Sequence, residues 1–204
     1  MAQTFPNSSW YLKRHHSEAW GFIDTLFTVE ECEKIKAFAA SLTVEKATVG
    51  SVIEAGSQTL NLDIRKNSVS WLNSNDPQSA WIYQRLTDAV NTVNAQFWEY
   101  QLDYIEILQY TIYNQLDDHY HGHVDMMLSG LHQRKLSFSL QLDDAGSYEG
   151  CDLEMSDGSE TWIPAIRKQG TFIAFPSWLR HRVTPLRSGS RHSLVGWVCG
   201  PKFK

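Results

Sequence analysis

Cysteine is scarce: Cys32, Cys151 and Cys199 are scattered over 204 residues, too few and too far apart for a disulfide framework or a zinc cluster, and they read as reduced, small apolar residues. Long apolar runs are missing, so no segment approaches a membrane span. The first twenty residues mix Lys13, Arg14, His15, His16 and Glu18 with aromatics and lack the apolar stretch of a secretory signal. The expectation is a soluble, cytoplasmic protein with no membrane partner. No run of five or six like charges occurs, and a net charge of −5 gives no broad cationic field for phosphate backbones, which argues against nucleic acid as a partner. Internal repeats and low-complexity tracts are also lacking.

What is present is enough apolar residue, 42%, to bury one core, and a change of hydrophobic period halfway along the chain. Thr28 and Glu31 form a capping box after Phe27, and Ile35, Phe38, Ala39 and Leu42 then recur at helical spacing, predicting a helix from about Val29 to Leu42. Residues 43–76 read as loops and minor strands that could form a lid. Asp76 and Pro77 are a cap and first-turn pair for a second helix with Ile82, Leu86, Ala89, Val93 and Phe97 on one stripe. From Leu102 the period becomes two. Tyr104 to Tyr113 reads as one strand, and Lys135 to Leu142 as another with Leu136, Phe138, Leu140 and Leu142 on an apolar face and Ser137, Ser139 and Gln141 opposite. Shorter strands are expected at Asp152–Met155, Thr161–Ile166, Thr171–Phe175, His181–Thr184 and His192–Val198. Helices followed by many short strands indicate a mainly β, α+β jelly roll: one domain over 1–204, with 1–100 as a mainly helical support region and 101–204 as the jelly-roll core.

The chemistry concentrates at His123 and Asp125, answered by His181. Residues i and i+2 of a strand share a face, so this imidazole and carboxylate can converge on one ion, and a second imidazole from another strand leaves further positions open, as in non-haem Fe(II) sites. A lone His-x-Asp also serves as a turn cap. His119 and His121 alternate with His123 and offer a competing histidine-rich site. Arg191 and Ser193, two apart on one strand face, suit a bidentate grip on a carboxylate, and an arginine inside a barrel calls for an anion to meet it. His15, His16, His132 and His192 read as solvated. Trp71, Trp178, Tyr148 and Arg65 are placed in loops or segments that could border the mouth of a site.

Tyr113, Tyr120, His123, Asp125, Arg134, Gly150-Cys151-Asp152-Leu153, Gly170-Thr171, Phe175-Pro176-Ser177, His181 to Pro185 and Arg191-x-Ser193 with Trp197 together resemble the prolyl 4-hydroxylase-type branch of the Fe(II)/2-oxoglutarate oxygenases, close to the bacterial PKHD-type hydroxylases. The likeness runs from about Leu102 to Pro201. It implies a double-stranded β-helix with N-terminal support helices, iron held by His123, Asp125 and His181, and 2-oxoglutarate as cosubstrate. Arg191 and Ser193 would take its distal carboxylate, with Tyr113 and Gln141 as hydrogen-bond partners. It further implies O2 as oxidant and ascorbate as a reductant. The chain departs from the family pattern at Gln141, where many relatives have a tyrosine, and at Cys151, where a glycine is usual. The implied reaction is hydroxylation of a C–H bond with release of succinate and CO2. A prolyl residue of a protein or peptide is the first expectation for substrate, and the acidic chain would tolerate a basic partner. A free small molecule on the same machinery, and a non-catalytic sensor that binds metal or keto acid, are the alternatives.

Overall fold

In a computed structural model of the chain, residues 18–50, 58–126 and 132–203 are described. His15 and His16, with the rest of residues 1–17, lie outside them, as does 51–57 of the expected lid.

The first helix, α1 (Val29–Ala39), starts where the sequence places it. Thr28 accepts from the Glu31 amide at 3.3 Å and Glu31 accepts from the Thr28 amide at 2.9 Å, completing the capping box. It ends before Leu42 because the Ser41 and Leu42 amides turn to the carbonyls three residues back, at Phe38 and Ala39. The second helix, α2 (Ala80–Phe97), begins later than Pro77. Asp76 instead caps a preceding turn, accepting from the Gln78 amide at 2.8 Å, and Ser79 at the helix start gives its hydroxyl to the Asn73 and Asp76 carbonyls. Ile82, Leu86, Ala89 and Val93 form the buried stripe, while Phe97 is only partly buried.

That stripe covers one face of an antiparallel sheet. Its order is Gly21–Ile23, Phe172–Pro176, His132–Gln141, Arg191–Pro201, Leu108–Tyr113, Ser68–Leu72 and Glu45–Lys46, with Tyr104–Ile105 also paired to Arg191–Pro201. Leu136, Phe138, Leu140, Leu108, Tyr110, Leu194 and Val198 point toward the helices and share one core with them. The expected single strand from Tyr104 to Tyr113 is broken. Ile105 faces Val198 and Gln109 faces Val195, four steps against three, so one surplus residue bulges the chain and leaves both Glu106 and Ile107 along the cavity.

A second antiparallel sheet runs Ile163–Pro164, Leu153–Ser156, Arg180–Val183, His119–His123 and Arg65–Lys66. The space between the two sheets is a cavity of about 560 Å³, lined on the major-sheet side by Gln109, Thr111, Arg191, Ser193 and Trp197. Two antiparallel sheets facing each other across a polar interior, with the helices outside, are the expected double-stranded β-helix. The strand forecasts hold with shifted ends, but Thr161–Ile166 contracts to Ile163–Pro164; Arg65 lies in one of the minor strands expected within 43–76.

Candidate functional site

The minor sheet brings His123 and His181 together as direct Cα partners across an antiparallel pair. The next pair is Val183 with Tyr120, so two steps on one strand answer three on the other and His119–His123 carries a bulge at positions 121 and 122. The surplus residue puts Tyr120 and His123 on the same inward side, with ring centroids 3.6 Å apart and planes 19° from parallel. His121 is left exposed and its ring lies beside His119 at 4.5 Å. His119 is occupied with the carbonyls of Asp117 and Asp63. The competing histidine-rich site therefore does not form among the described residues.

Asp125 follows the bulged strand. Its amide and that of Met126 both donate to the Ser177 carbonyl at 2.9 Å, which turns the carboxylate back toward the imidazoles. Asp125 lies 3.4 Å from His181 Nε2 and 3.7 Å from His123 Nε2, and the three candidate ligand atoms are all within 4.8 Å of one another. Each ring spends its other nitrogen on backbone: His123 Nδ1 donates to the His121 carbonyl at 2.7 Å and His181 Nδ1 to the Leu179 carbonyl at 2.9 Å. A carbonyl can only accept, so the neutral rings carry their proton on Nδ1 and present the Nε2 lone pair to the shared space, as metal-binding histidines do. Burial, reinforced by the neighbouring His181, drives the His123 pKa down to about 3. Burial also opposes charge on His181 and Asp125, yet their mutual attraction outweighs it, raising His181 and holding Asp125 well below the usual carboxylate range. Two imidazoles and one carboxylate, with room on the cavity side, fit an iron(II) ion.

Deeper in the same cavity lies Arg191, 2% exposed. Its Nη2 donates to Gln141 Oε1 at 2.9 Å, but Nε and Nη1 are buried without a partner among the described residues. No carboxylate among them pairs with it. Such a cation is costly unless an anion meets it, so the orphaned edge of the guanidinium fits the distal carboxylate of a keto acid. Ser193 follows on the same face, and Tyr113 is the Cα partner of Arg191 on the adjacent strand, its ring 5.6 Å from the guanidinium carbon. Both line the cavity. Burial pushes the Tyr113 phenol up to about 12, which keeps it a neutral donor.

Gln141 does not line the cavity. Its Oε1 is committed to Arg191 and its Nε2 to the Ile166 carbonyl at 3.1 Å, so it holds the guanidinium from behind instead of facing the space. His192 is not solvated either. It lies on the opposite face of the strand from Arg191, stacked on Tyr110 and donating from Nδ1 to Asp143 at 2.9 Å. Of the residues placed near a mouth, Trp71 and Arg65 line the cavity, whereas Tyr148 is buried beneath Arg167 and Trp178 is exposed elsewhere. Sequence reasoning missed the ion pair of Arg134 with Glu106, at 2.8 and 2.6 Å, which forms part of the cavity wall. Alternation from Arg191 through Ser193 and Val195 to Trp197 was the available signal for the inner face of that strand.

No family model matches the chain. It is 42% identical over 79 residues to a PKHD-type hydroxylase of Synechococcus sp. (strain CC9311), a stretch covering 39% of this chain and 36% of that protein. It is 34% identical over 86 residues to a PKHD-type hydroxylase of Idiomarina loihiensis, covering 41% and 38%. The match therefore spans little more than a third of the length of these curated relatives. In fold the likeness is far more extensive. A prolyl-4-hydroxylase of Pseudomonas putida superposes with a TM-score of 0.66 at 18% identity, covering 91% of this chain and 94% of that one. An oxidoreductase of the 2OG-Fe(II) oxygenase family from Burkholderia pseudomallei gives 0.65 at 21%, covering 89% and 85%. A Trichoplax adhaerens prolyl hydroxylase, in complex with a hypoxia inducible factor peptide fragment, gives 0.68 at 13%, covering 88% and 83%. Part of the chain is thus similar in sequence to PKHD-type hydroxylases, and its fold is the one shared by solved prolyl hydroxylases and a 2OG-Fe(II) oxygenase.

Proposed function

We propose that this protein is an Fe(II)- and 2-oxoglutarate-dependent dioxygenase that hydroxylates a prolyl residue of a protein or peptide. The observation that carries the reading is the meeting, in one cavity, of the His123, Asp125 and His181 ligand atoms with a buried Arg191 whose Nε and Nη1 lack partners. His123 and His181 hold the metal through Nε2 and Asp125 through its carboxylate. Arg191, with Ser193, takes the distal carboxylate of 2-oxoglutarate, and the neutral Tyr113 phenol donates to the cosubstrate. When bound, iron and 2-oxoglutarate supply the oxidative decarboxylation, to succinate and CO2, that drives insertion of one oxygen atom of O2 into a C–H bond.

The chain's own residues give that chemistry its order. Arg191 would hold one end of the keto acid, and His123, Asp125 and His181 would hold the metal, so these side chains orient the cosubstrate within the cavity. The cavity opens past Glu45, Lys46 and Ile107, which are exposed, while its floor at Arg191 is dry. An open mouth over a closed floor suits a chain that lays one residue into the site. A peptide-bound relative of the same fold and the PKHD-type hydroxylases named by sequence support a polypeptide substrate and the prolyl assignment.

Purified protein with Fe(II), ascorbate, 2-oxoglutarate and O2 should release succinate slowly without substrate, and faster with a prolyl peptide that gains one oxygen by mass spectrometry. His123→Ala and His181→Ala should lose both signals. Equal succinate from wild type and the two variants would remove the basis for the assignment.

A further inference from the structure

Tyr120 is packed against two side chains. One face lies 3.6 Å from the His123 ring, and over the ring sits the Arg65 guanidinium, its carbon 4.5 Å from the centroid. Arg65 is itself fixed: Nε donates to Asn67 Oδ1 at 3.1 Å and Nη1 to the Thr48 carbonyl at 3.2 Å, and the residue is 7% exposed. Arg65 and Tyr120 are also Cα partners between neighbouring strands, so backbone pairing sets the column as well as side-chain contact. Guanidinium, phenol and imidazole thus form one continuous pile that ends on a candidate metal ligand.

We infer that Arg65 and Tyr120 are positioning residues for the metal centre, a clamp that fixes the plane of the His123 imidazole. This rests on the assignment of His123 as a ligand. The Nδ1 bond to the His121 carbonyl fixes the tautomer and holds one edge of the ring. Contact on the ring face adds a second restraint, because the phenol must move before the imidazole can tilt. The cation over the phenol ring holds the phenol in place. His181 has a comparable neighbour in Phe175, at 4.7 Å, but at 56° the contact is tilted and no cation among the described residues backs it. The column also ties the ligand to Thr48, which lines the cavity with Glu45 and Lys46, so one arginine joins the mouth segment to the metal centre.

Cobalt(II) serves as the probe, read by its binding isotherm and by its visible ligand-field absorption. Tyr120→Phe keeps the ring and should bind like wild type. Tyr120→Leu and Arg65→Met should weaken cobalt binding by about tenfold, the lower end of what losing an outer partner of a metal-bound histidine costs, and alter the absorption bands. Arg65→Lys, which restores the charge, should recover part of the loss. His121→Ala, whose exposed ring lies outside the column, should leave cobalt binding unchanged. Native near-ultraviolet circular dichroism qualifies each variant; should Tyr120→Leu fail it, the volume-conserving Arg65→Met decides. A folded Tyr120→Leu or Arg65→Met variant that binds cobalt with wild-type affinity and wild-type bands overturns the clamp alone. Wild type that binds no cobalt overturns the clamp together with the metal assignment beneath it.

Discussion

Arg191 and Gln141 are joined by a 2.9 Å hydrogen bond on the side of the guanidinium away from the cavity, and the Gln141 amide is anchored in turn to the Ile166 carbonyl. The bond uses Nη2 and leaves Nε and Nη1 buried without a hydrogen-bond partner among the described residues, with the Cys151 thiol beside the guanidinium. Where a tyrosine is usual at position 141, this chain supports its arginine from behind.

That division of labour separates two variants. Arg191→Ala removes the cation and should weaken 2-oxoglutarate binding by about a hundredfold, as expected for a charge-assisted contact worth roughly 2–3 kcal/mol. Gln141→Leu leaves the cation in place but frees it to turn, and should weaken binding by about tenfold. Isothermal titration of cobalt-loaded protein measures both. A Gln141→Leu loss as large as that of Arg191→Ala would place Gln141 in direct contact with the cosubstrate.

Asp143 accepts from Lys36 Nζ at 2.8 Å and from His192 Nδ1 at 2.9 Å, pinning α1 to the back of the Arg191 strand. Burial alone would raise its pKa, but the His192 and Lys36 contacts prevail and hold it below the usual carboxylate value. A folded-state pKa below the unfolded one means stability that is present above the unfolded value, about 3.9, and lost as pH falls through the folded one. Asp143→Asn should therefore cost roughly 1–2 kcal/mol in urea unfolding at pH 7, since it removes the anion between His192 and Lys36 while the partly exposed Lys36 ammonium keeps its 2.8 Å ion pair with Glu33. The gap between wild type and variant should close as pH is lowered from about 4 toward 2. A gap that stays constant through that range would show that charge on Asp143 is not what holds the helix.

How much of this was legible beforehand follows from which signals are local. The capping box at Thr28 and the stripe from Ile82 to Val93 are set by neighbours a few residues away, and both are found where the sequence puts them. The meeting of His123, Asp125 and His181 was readable because each lies near a strand end with a recognisable spacing. The bulge that turns His123 inward and His121 outward was not, because the surplus residue is defined only by the partner strand. The Asp143 and His192 contact joins residues 49 positions apart and leaves no mark on either local pattern. Arg65 was legible as a residue near the mouth, but its contact with Tyr120 was not, because the two-residue strand that carries it pairs with His119–His123, more than fifty positions away.

Cys151, where a glycine is usual, sits at φ 55° with its side chain fully buried. A side chain in this left-handed region costs about 1–2 kcal/mol that glycine does not incur. Cys151→Ala keeps that strain and loses the buried sulfur. Cys151→Gly relieves the strain while giving up one further carbon, so it should be the more stable of the two variants by roughly 0.5–1 kcal/mol in urea unfolding. The reverse order would mean that packing of the β-carbon outweighs the backbone at this site.

Metal loading should also be visible as stability. An ion held by His123, Asp125 and His181 binds only the folded chain, because the ligands come from two strands and a turn brought together by pairing. At a hundredfold excess over Kd, linkage gives about 2.7 kcal/mol, which for a chain of this size raises the melting temperature by roughly 5–11 °C. Cobalt(II) or Fe(II) added under argon should give that rise and EDTA should reverse it. Asp125→Ala should abolish it, since one acidic ligand of three is gone. His121→Ala is the discriminating control: its imidazole is exposed outside the bulge, and the shift should survive its removal. A shift lost with His121 and retained with Asp125→Ala would assign the ion to the alternating histidines, and the Nε2 atoms facing Asp125 would then need another explanation.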